Sequence, residues 1–299
     1  MVGARQEMTY RQTADQVERT ATACGALGLR PGDGIALLEG PRPEAFTVMA
    51  AACLAGLRYA ALHPLGTAGM DTTVLSDSST DLLVVDDRSS PERAARTDVR
   101  TITLSELGGY VAAAQPHSSD PRRPATYLFY TGGTTGAPKG VILGDRSLVA
   151  NAWANASWAW PHDTNFLVTT PMSHAAGLLV APGFPRGASF TLHKSFDPDR
   201  VIDAIEHHGI STTFVVPTML YALLDNPRIA SANTSGLRWI FYGAAPTDPE
   251  RIRKARSIFG PVLLGFAVAG LGYEFDDCRH WHTGCWKGRN TRTITRRWS

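Results

Sequence analysis

Tyr130-Thr131-Gly132-Gly133-Thr134-Thr135-Gly136-Ala137-Pro138-Lys139-Gly140-Val141 is the stretch on which the reading of this chain turns. Glycines let backbone N–H groups approach an anion closely and form a concave nest of donors. The hydroxyls of Thr131, Thr134 and Thr135 add short, rotatable donors, and Lys139 adds a positive charge suited to phosphate. Pro138 fixes the backbone just before that lysine. The string is not a Walker A loop, G-x4-G-K-[ST], because Pro138 precedes the lysine and Gly140 follows it. Nor is it G-x-G-x-x-G. A plain glycine–threonine turn between two strands would need none of these residues in this order, so the string reads as a phosphate-binding loop.

On either side of the loop the sequence is strand-like: Tyr127-Leu128-Phe129-Tyr130 before it and Val141-Ile142-Leu143 after it. Further out, helix-like and strand-like segments alternate. Thr9 with Gln12 makes a capping box, and Ala14, Val17, Ala21 and Cys24 then recur at helical spacing. Gly28 closes that helix, Arg30-Pro31-Gly32-Asp33 reads as a turn, and Ile35 to Leu38 as a buried strand. A helix is expected over Glu44 to Leu57, a strand over Asp81 to Val85, and a polar surface loop over Asp86 to Arg100. Beyond the glycine loop, strands are expected over Phe166 to Thr169, Thr212 to Val216 and Arg238 to Tyr242. Helices are expected over Asp199 to His207 and Pro249 to Phe259. This alternation predicts an α/β fold with mostly parallel sheets flanked by helices. Gln115 to Pro124 is punctuated by proline and reads as a linker. The expected organisation is a first α/β subdomain over 1–115, a linker over 116–125 and a second subdomain with the phosphate loop over 126–264.

Composition bounds the function. Of 299 residues, 43% are hydrophobic and 19% charged, which is globular rather than disordered. A formal net charge of +2 calls for no nucleic-acid partner. The N-terminus has no apolar signal core. The longest nearly apolar run, Ala45 to Leu57, is 13 residues, and a membrane-spanning helix needs about 20. Cys24 and Cys53 fall in apolar helical patterns and no disulfide framework is visible, so a cytoplasmic location is expected. Trp153, Trp158 and Trp160 read as core or interface, and His207-His208 as a helix end before Gly209.

The glycine string resembles the phosphate-binding signature of the adenylate-forming superfamily, which includes acyl-CoA synthetases, luciferases and peptide-synthetase adenylation domains. The resemblance runs through residues 8–264. Leu29 to Asp33, Arg42-Pro43-Glu44, Ala55-Gly56, Tyr59 to Pro64 and Leu75-Ser76-Asp77-Ser78 look like that family. So do Pro171-Met172-Ser173-His174-Ala175-Ala176-Gly177, Val216 to Leu220 and Tyr242-Gly243-Ala244-Ala245-Pro246. The resemblance implies the N-terminal large domain of the adenylate-forming fold and an acid–CoA ligase acting on a carboxylic acid, most simply a fatty acid. ATP would be bound by Thr131, Gly132, Gly133, Thr134, Thr135, Gly136 and Lys139. His174 would stand beside the acyl and coenzyme A channels, and Gly243, Ala244, Ala245 and Pro246 would line the acyl pocket near adenine. Magnesium and coenzyme A complete the family's requirements.

The family pattern breaks after Leu264. Where the family carries Thr-Glu or Ser-Glu, whose acid helps to hold magnesium, this chain reads Leu264-Gly265-Phe266-Ala267-Val268-Ala269-Gly270-Leu271. The large domain is therefore expected to be incomplete, without the mobile C-terminal domain and its lysine, and turnover to be impaired. Residues 266–299 hold three of the seven tryptophans, two of the four cysteines and six Lys/Arg. They read as an aberrant, poorly ordered tail, as a truncation or frameshift near Leu264 would produce. Two alternatives stay open: a nucleotide- or acyl-binding protein without turnover, and a nonfunctional gene remnant. Cys278, His280, His282 and Cys285 suit zinc by residue type, but C-x-H-x-H-x2-C is cramped and has no second pair.

Overall fold

The computed structural model describes residues 7–87, 97–116, 124–131, 138–157, 163–172 and 175–266. Two compact units emerge: residues 1–163 with 168–188 and 192–195, and residues 164–167 with 189–191 and 196–299.

The first unit opens with α1 (Tyr10–Ala26), started by the expected capping box: Thr9 accepts from the Gln12 N–H, and Gln12 reaches back to the Thr9 N–H. Gly28, at φ +91°, turns the chain out of the helix. Then follow β1 (Gly34–Leu38), α2 (Pro43–Leu54), β2 (Arg58–Leu62), α3 (Ala68–Asp77) and β3 (Leu82–Val85). The helix expected to reach Leu57 stops at Leu54. Gly56 takes φ +68°, and the Leu57 N–H bonds back to the Ala52 carbonyl, a left-handed closure that ends the helix before the apolar run does. Among the elements not anticipated are β4 (Arg100–Thr103) and α4 (Leu104–Ala113), whose start carries a second capping box, Thr103 with Glu106. Of the surface loop expected before them, 88–96 lie outside the described residues.

After the linker, of which 117–123 are outside the described residues, β5 (Thr126–Thr131) and β6 (Lys139–Gly144) form an antiparallel pair, followed by α5 (Asp145–Ser157). The sheet order is β4-β3-β1-β2-β5-β6, parallel except for the last pair. All five residues of β1 are buried, as a central strand covered on both faces requires. Ala36, Leu38, Leu62, Leu83, Val85, Leu128 and Tyr130 pack one core with Val74 and Leu75 of α3.

The second sheet is ordered β11-β10-β9-β7-β8. Its strands are β7 (Asn165–Val168), β8 (Ser189–Leu192), β9 (Thr212–Val215), β10 (Trp239–Gly243) and β11 (Leu263–Phe266). Between β7 and β8 lies the short α6 (Ala175–Val180). The crossovers are α7 (Pro198–His207), α8 (Pro217–Asp225) and α9 (Pro249–Phe259), each with proline in its first turn. β10 runs parallel to both β9 and β11. Val201, Ile202 and Ile205 of α7, Leu220, Leu223 and Leu224 of α8, and Ile252, Ala255 and Phe259 of α9 bury one core against Leu167, Val215 and Ile240. His207 closes α7 and Gly209 follows at φ +63°, as expected.

The described part of the chain is thus α/β with mostly parallel sheets flanked by helices. Cys24 is buried, its thiol pushed up to about 12 by burial, and burial pushes Cys53 up to about 11. Trp153 is 71% exposed, so it is not a core residue; Trp158 and Trp160 lie outside the described residues. Among the described residues no helix is long and apolar enough to cross a membrane.

Candidate functional site

The glycine string spans a β-hairpin. β5 ends at Thr131 and β6 begins at Lys139, and these two residues face each other in the register. Antiparallel pairing therefore brings both ends of the loop to one place, at the tip of the last two strands of the sheet. Lys139 is exposed. Gly132, Gly133, Thr134, Thr135 and Gly136 lie between these ends, outside the described residues.

One pair behind the tip, Tyr130 faces Gly140. Tyr130 is buried, and its phenol donates to Asp77 Oδ2 at 2.7 Å. Burial raises the phenol's pKa well above its ordinary value, and the hydrogen bond to Asp77 raises it further, so the group stays a donor. A Cβ on Gly140 would stand 3.1 Å from Cε1 and Cζ of the Tyr130 ring and 3.3 Å from Asp77 Oδ2. A side chain at 140 would therefore press on the Tyr130 ring and on Asp77, which would have to give by a few tenths of an ångström. Asp77 is the last residue of α3. No role was anticipated for it; the only sequence signal was its place in Leu75-Ser76-Asp77-Ser78.

Two further matched stretches have their own geometry. Gly177, in α6, has no room for a side chain: a Cβ there would lie 2.1 Å from the Met172 carbonyl oxygen. Position 177 thus demands glycine, while His174 lies outside the described residues. In the second unit Gly243 is buried at the end of β10, and Ala244, Ala245 and Pro246 follow it exposed. Ala244 adopts φ +70°, a left-handed conformation that is strained for a residue with a Cβ. That turns the chain sharply off the carboxyl end of the sheet, where ligands of open α/β sheets bind. The stretch is followed by α9, whose start is tied to α8: the Asp248 N–H donates to Tyr221 Oη at 2.7 Å.

Among the described residues one group of side chains, Asp203, Glu206 and His207, is spaced for an ion. Arg228 already binds Asp203 at 2.6 Å and approaches Glu206 at 3.5 Å. Leu264, Gly265 and Phe266 offer no carboxylate for magnesium. Cys278, His280, His282 and Cys285, the residues of zinc-like type, lie outside the described residues, as does the tail beyond Phe266.

A mostly parallel α/β scaffold carries the glycine- and threonine-rich string between two antiparallel strands, ending on a lysine. The chain belongs to the AMP-binding enzyme family, whose sequence profile matches residues 1–269. It is similar to the medium/long-chain fatty-acid–CoA ligase FadD8 of Mycobacterium tuberculosis, with 34% identity over 282 residues, 87% of this chain and 49% of that protein. It is also similar to a feruloyl-CoA synthase of Amycolatopsis sp, with 32% identity over 260 residues, 81% of this chain and 50% of that one. Among solved structures, ATP-bound MatB from Rhodopseudomonas palustris superposes with a TM-score of 0.77 at 26% identity, over 88% of this chain and 55% of MatB. The chain spans about half the length of the curated relatives it matches.

Proposed function

We propose that the chain carries the ATP-phosphate and acyl-binding portion of an AMP-forming acid–CoA ligase. In that reaction a carboxylate attacks the α-phosphorus of ATP, giving an acyl-adenylate and pyrophosphate. The thiol of coenzyme A then takes the acyl group and AMP leaves. The observation that carries the reading is the hairpin, where Thr131 and Lys139 face each other at the two ends of the glycine string. In our reading the N–H groups of Gly132, Gly133 and Gly136 and the hydroxyls of Thr131, Thr134 and Thr135 donate to the β- and γ-phosphates. Lys139 balances their charge. His174 borders the acyl and coenzyme A channels, and Gly243, Ala244, Ala245 and Pro246 leave room for the acid near adenine. Magnesium would supply further neutralisation of the phosphates. A fatty or related acid as substrate is supported by the similarity to the fatty-acid ligase, and the similarity to the feruloyl-CoA synthase supports the broader class of carboxylic acids.

A second reading, binding without turnover, is favoured by one observation: residues 264–271 contain no carboxylate. Both readings require the hairpin to hold phosphate. Lys139→Ala is expected to weaken ATP binding about tenfold to a hundredfold, the cost of one charge-assisted contact of about 1.5–3 kcal/mol. Titration calorimetry with ATP and magnesium measures it, and unchanged affinity would remove the hairpin from the site. Pyrophosphate release on adding a carboxylic acid separates the two readings.

A further inference from the structure

We infer that Asp77 and Tyr130 form a brace that sets the position of the phosphate hairpin, so that Asp77 is a positioning residue for nucleotide binding. This rests on the reading of the hairpin as an ATP site. Three observations carry it. Tyr130 is the residue immediately before Thr131, and its phenol donates to Asp77 Oδ2 at 2.7 Å, linking α3 to the last pair of strands. The opposite residue, Gly140, immediately follows Lys139 and lacks the Cβ that would press on both partners, at 3.1 Å from the ring and 3.3 Å from the carboxylate. The brace therefore lies one register pair behind the two residues from which the loop departs. Finally, among the described residues β6 is the last strand of its sheet and pairs with β5, so the hairpin takes its fixed geometry from β5 and from what holds β5. A buried ring whose phenol is hydrogen-bonded to the neighbouring helix resists twisting of that tip more than a phenylalanine would.

Because Asp77 is exposed on a helix end, its replacement spares the core. Asp77→Ala and Tyr130→Phe are each expected to weaken ATP binding about three- to tenfold, the net value of about one hydrogen bond. The double variant should be no weaker than the worse single one, since both remove the same link. Asp77→Asn, which keeps an acceptor for the phenol, should bind close to the wild-type affinity. Hydrogen exchange without nucleotide should speed up at the Thr131 and Lys139 amides in Asp77→Ala while the β1 and β3 amides stay protected. A merely structural loss would move all of them together. Wild-type chain that fails to bind ATP, or Lys139→Ala that binds as well as wild type, overturns the hairpin reading and this inference with it. If those two controls behave, wild-type affinity in Asp77→Ala and Tyr130→Phe, tighter binding in Asp77→Asn, or additive losses in the double variant overturn the brace alone.

Discussion

Glu39 shows how one residue can make stability depend on pH. It directly follows β1 and is buried at 8% exposure. Its Oε1 accepts the Gly40 N–H at 2.7 Å and lies 3.6 Å from Arg42 Nε, which leaves Oε2 buried without a partner among the described residues. Arg42 also approaches Asp86 at 3.3 Å, so one guanidinium serves two acids. Burial raises the Glu39 pKa above its ordinary value. The Gly40 N–H and Arg42 pull it down, and Asp86 and Glu44 push it up. A carboxyl whose folded pKa is raised binds more protons in the folded state. Its contribution therefore favours folding below the ordinary glutamate range and is lost as pH rises through the raised value. Glu39→Gln is expected to lose that fall in stability. Urea midpoints at about pH 3.5, below the ordinary glutamate value, and at about pH 7.5, above it, test it. An identical pH slope in wild type and variant would show that Glu39 is ionised throughout.

Helix ends were legible where the signal was local. The Thr9–Gln12 box could be read because both partners sit within one turn and hydrophobic periodicity follows. Thr103–Glu106 obeys the same chemistry, but Leu104-Ser105-Glu106-Leu107-Gly108-Gly109 gives a weak helical period, with two glycines inside. Packing decides that helix: Leu107 and Val111 are buried, and α4 lies against α1. Since propensity contributes little there, the cap carries more of the weight. Thr103→Ala should lower stability by about 1 kcal/mol, seen as an earlier thermal midpoint with unchanged ATP affinity. A loss in ATP affinity without a loss in stability would mean that α4 reaches the site. Strand ends follow similar logic. The first residue of β1, Gly34, has no room for a side chain because a Cβ there would stand 2.3 Å from the Ser79 carbonyl oxygen, a contact that no local pattern announces.

On the scale of the molecule, activity depends on groups brought from far apart in sequence. In the proposed reaction adenylation builds negative charge around the α-phosphorus, and this 299-residue chain, whose Lys139 is assigned to the β- and γ-phosphates, has no carboxylate over 264–271 to hold a metal. Losing one preorganised charge-stabilising donor costs about 10²–10³ in rate, and losses in one group do not simply multiply. With ATP, magnesium, coenzyme A and a panel of fatty acids, the purified chain is expected to give weak ATP binding and no practical acyl-CoA synthesis. Multiple turnovers that vanish in Lys139→Ala would contradict this. The alternation of apolar strands and capped helices determined the α/β class, since period and capping are written in neighbouring residues. The order of Thr131, the glycines and Lys139 carried the proposed phosphate-binding role, because nests and charges follow from residue type. Only the tertiary structure decided which strands share a sheet. β5 and β6, beyond the linker, join the sheet of β1 to β4 through pairing with β2, a partner more than sixty residues away in the chain. It likewise brought Asp77 to Tyr130, across 53 residues. Hydrogen-bond pairing and burial act on distance in space, and a period of two or of 3.6 residues carries no record of which distant element will supply the partner.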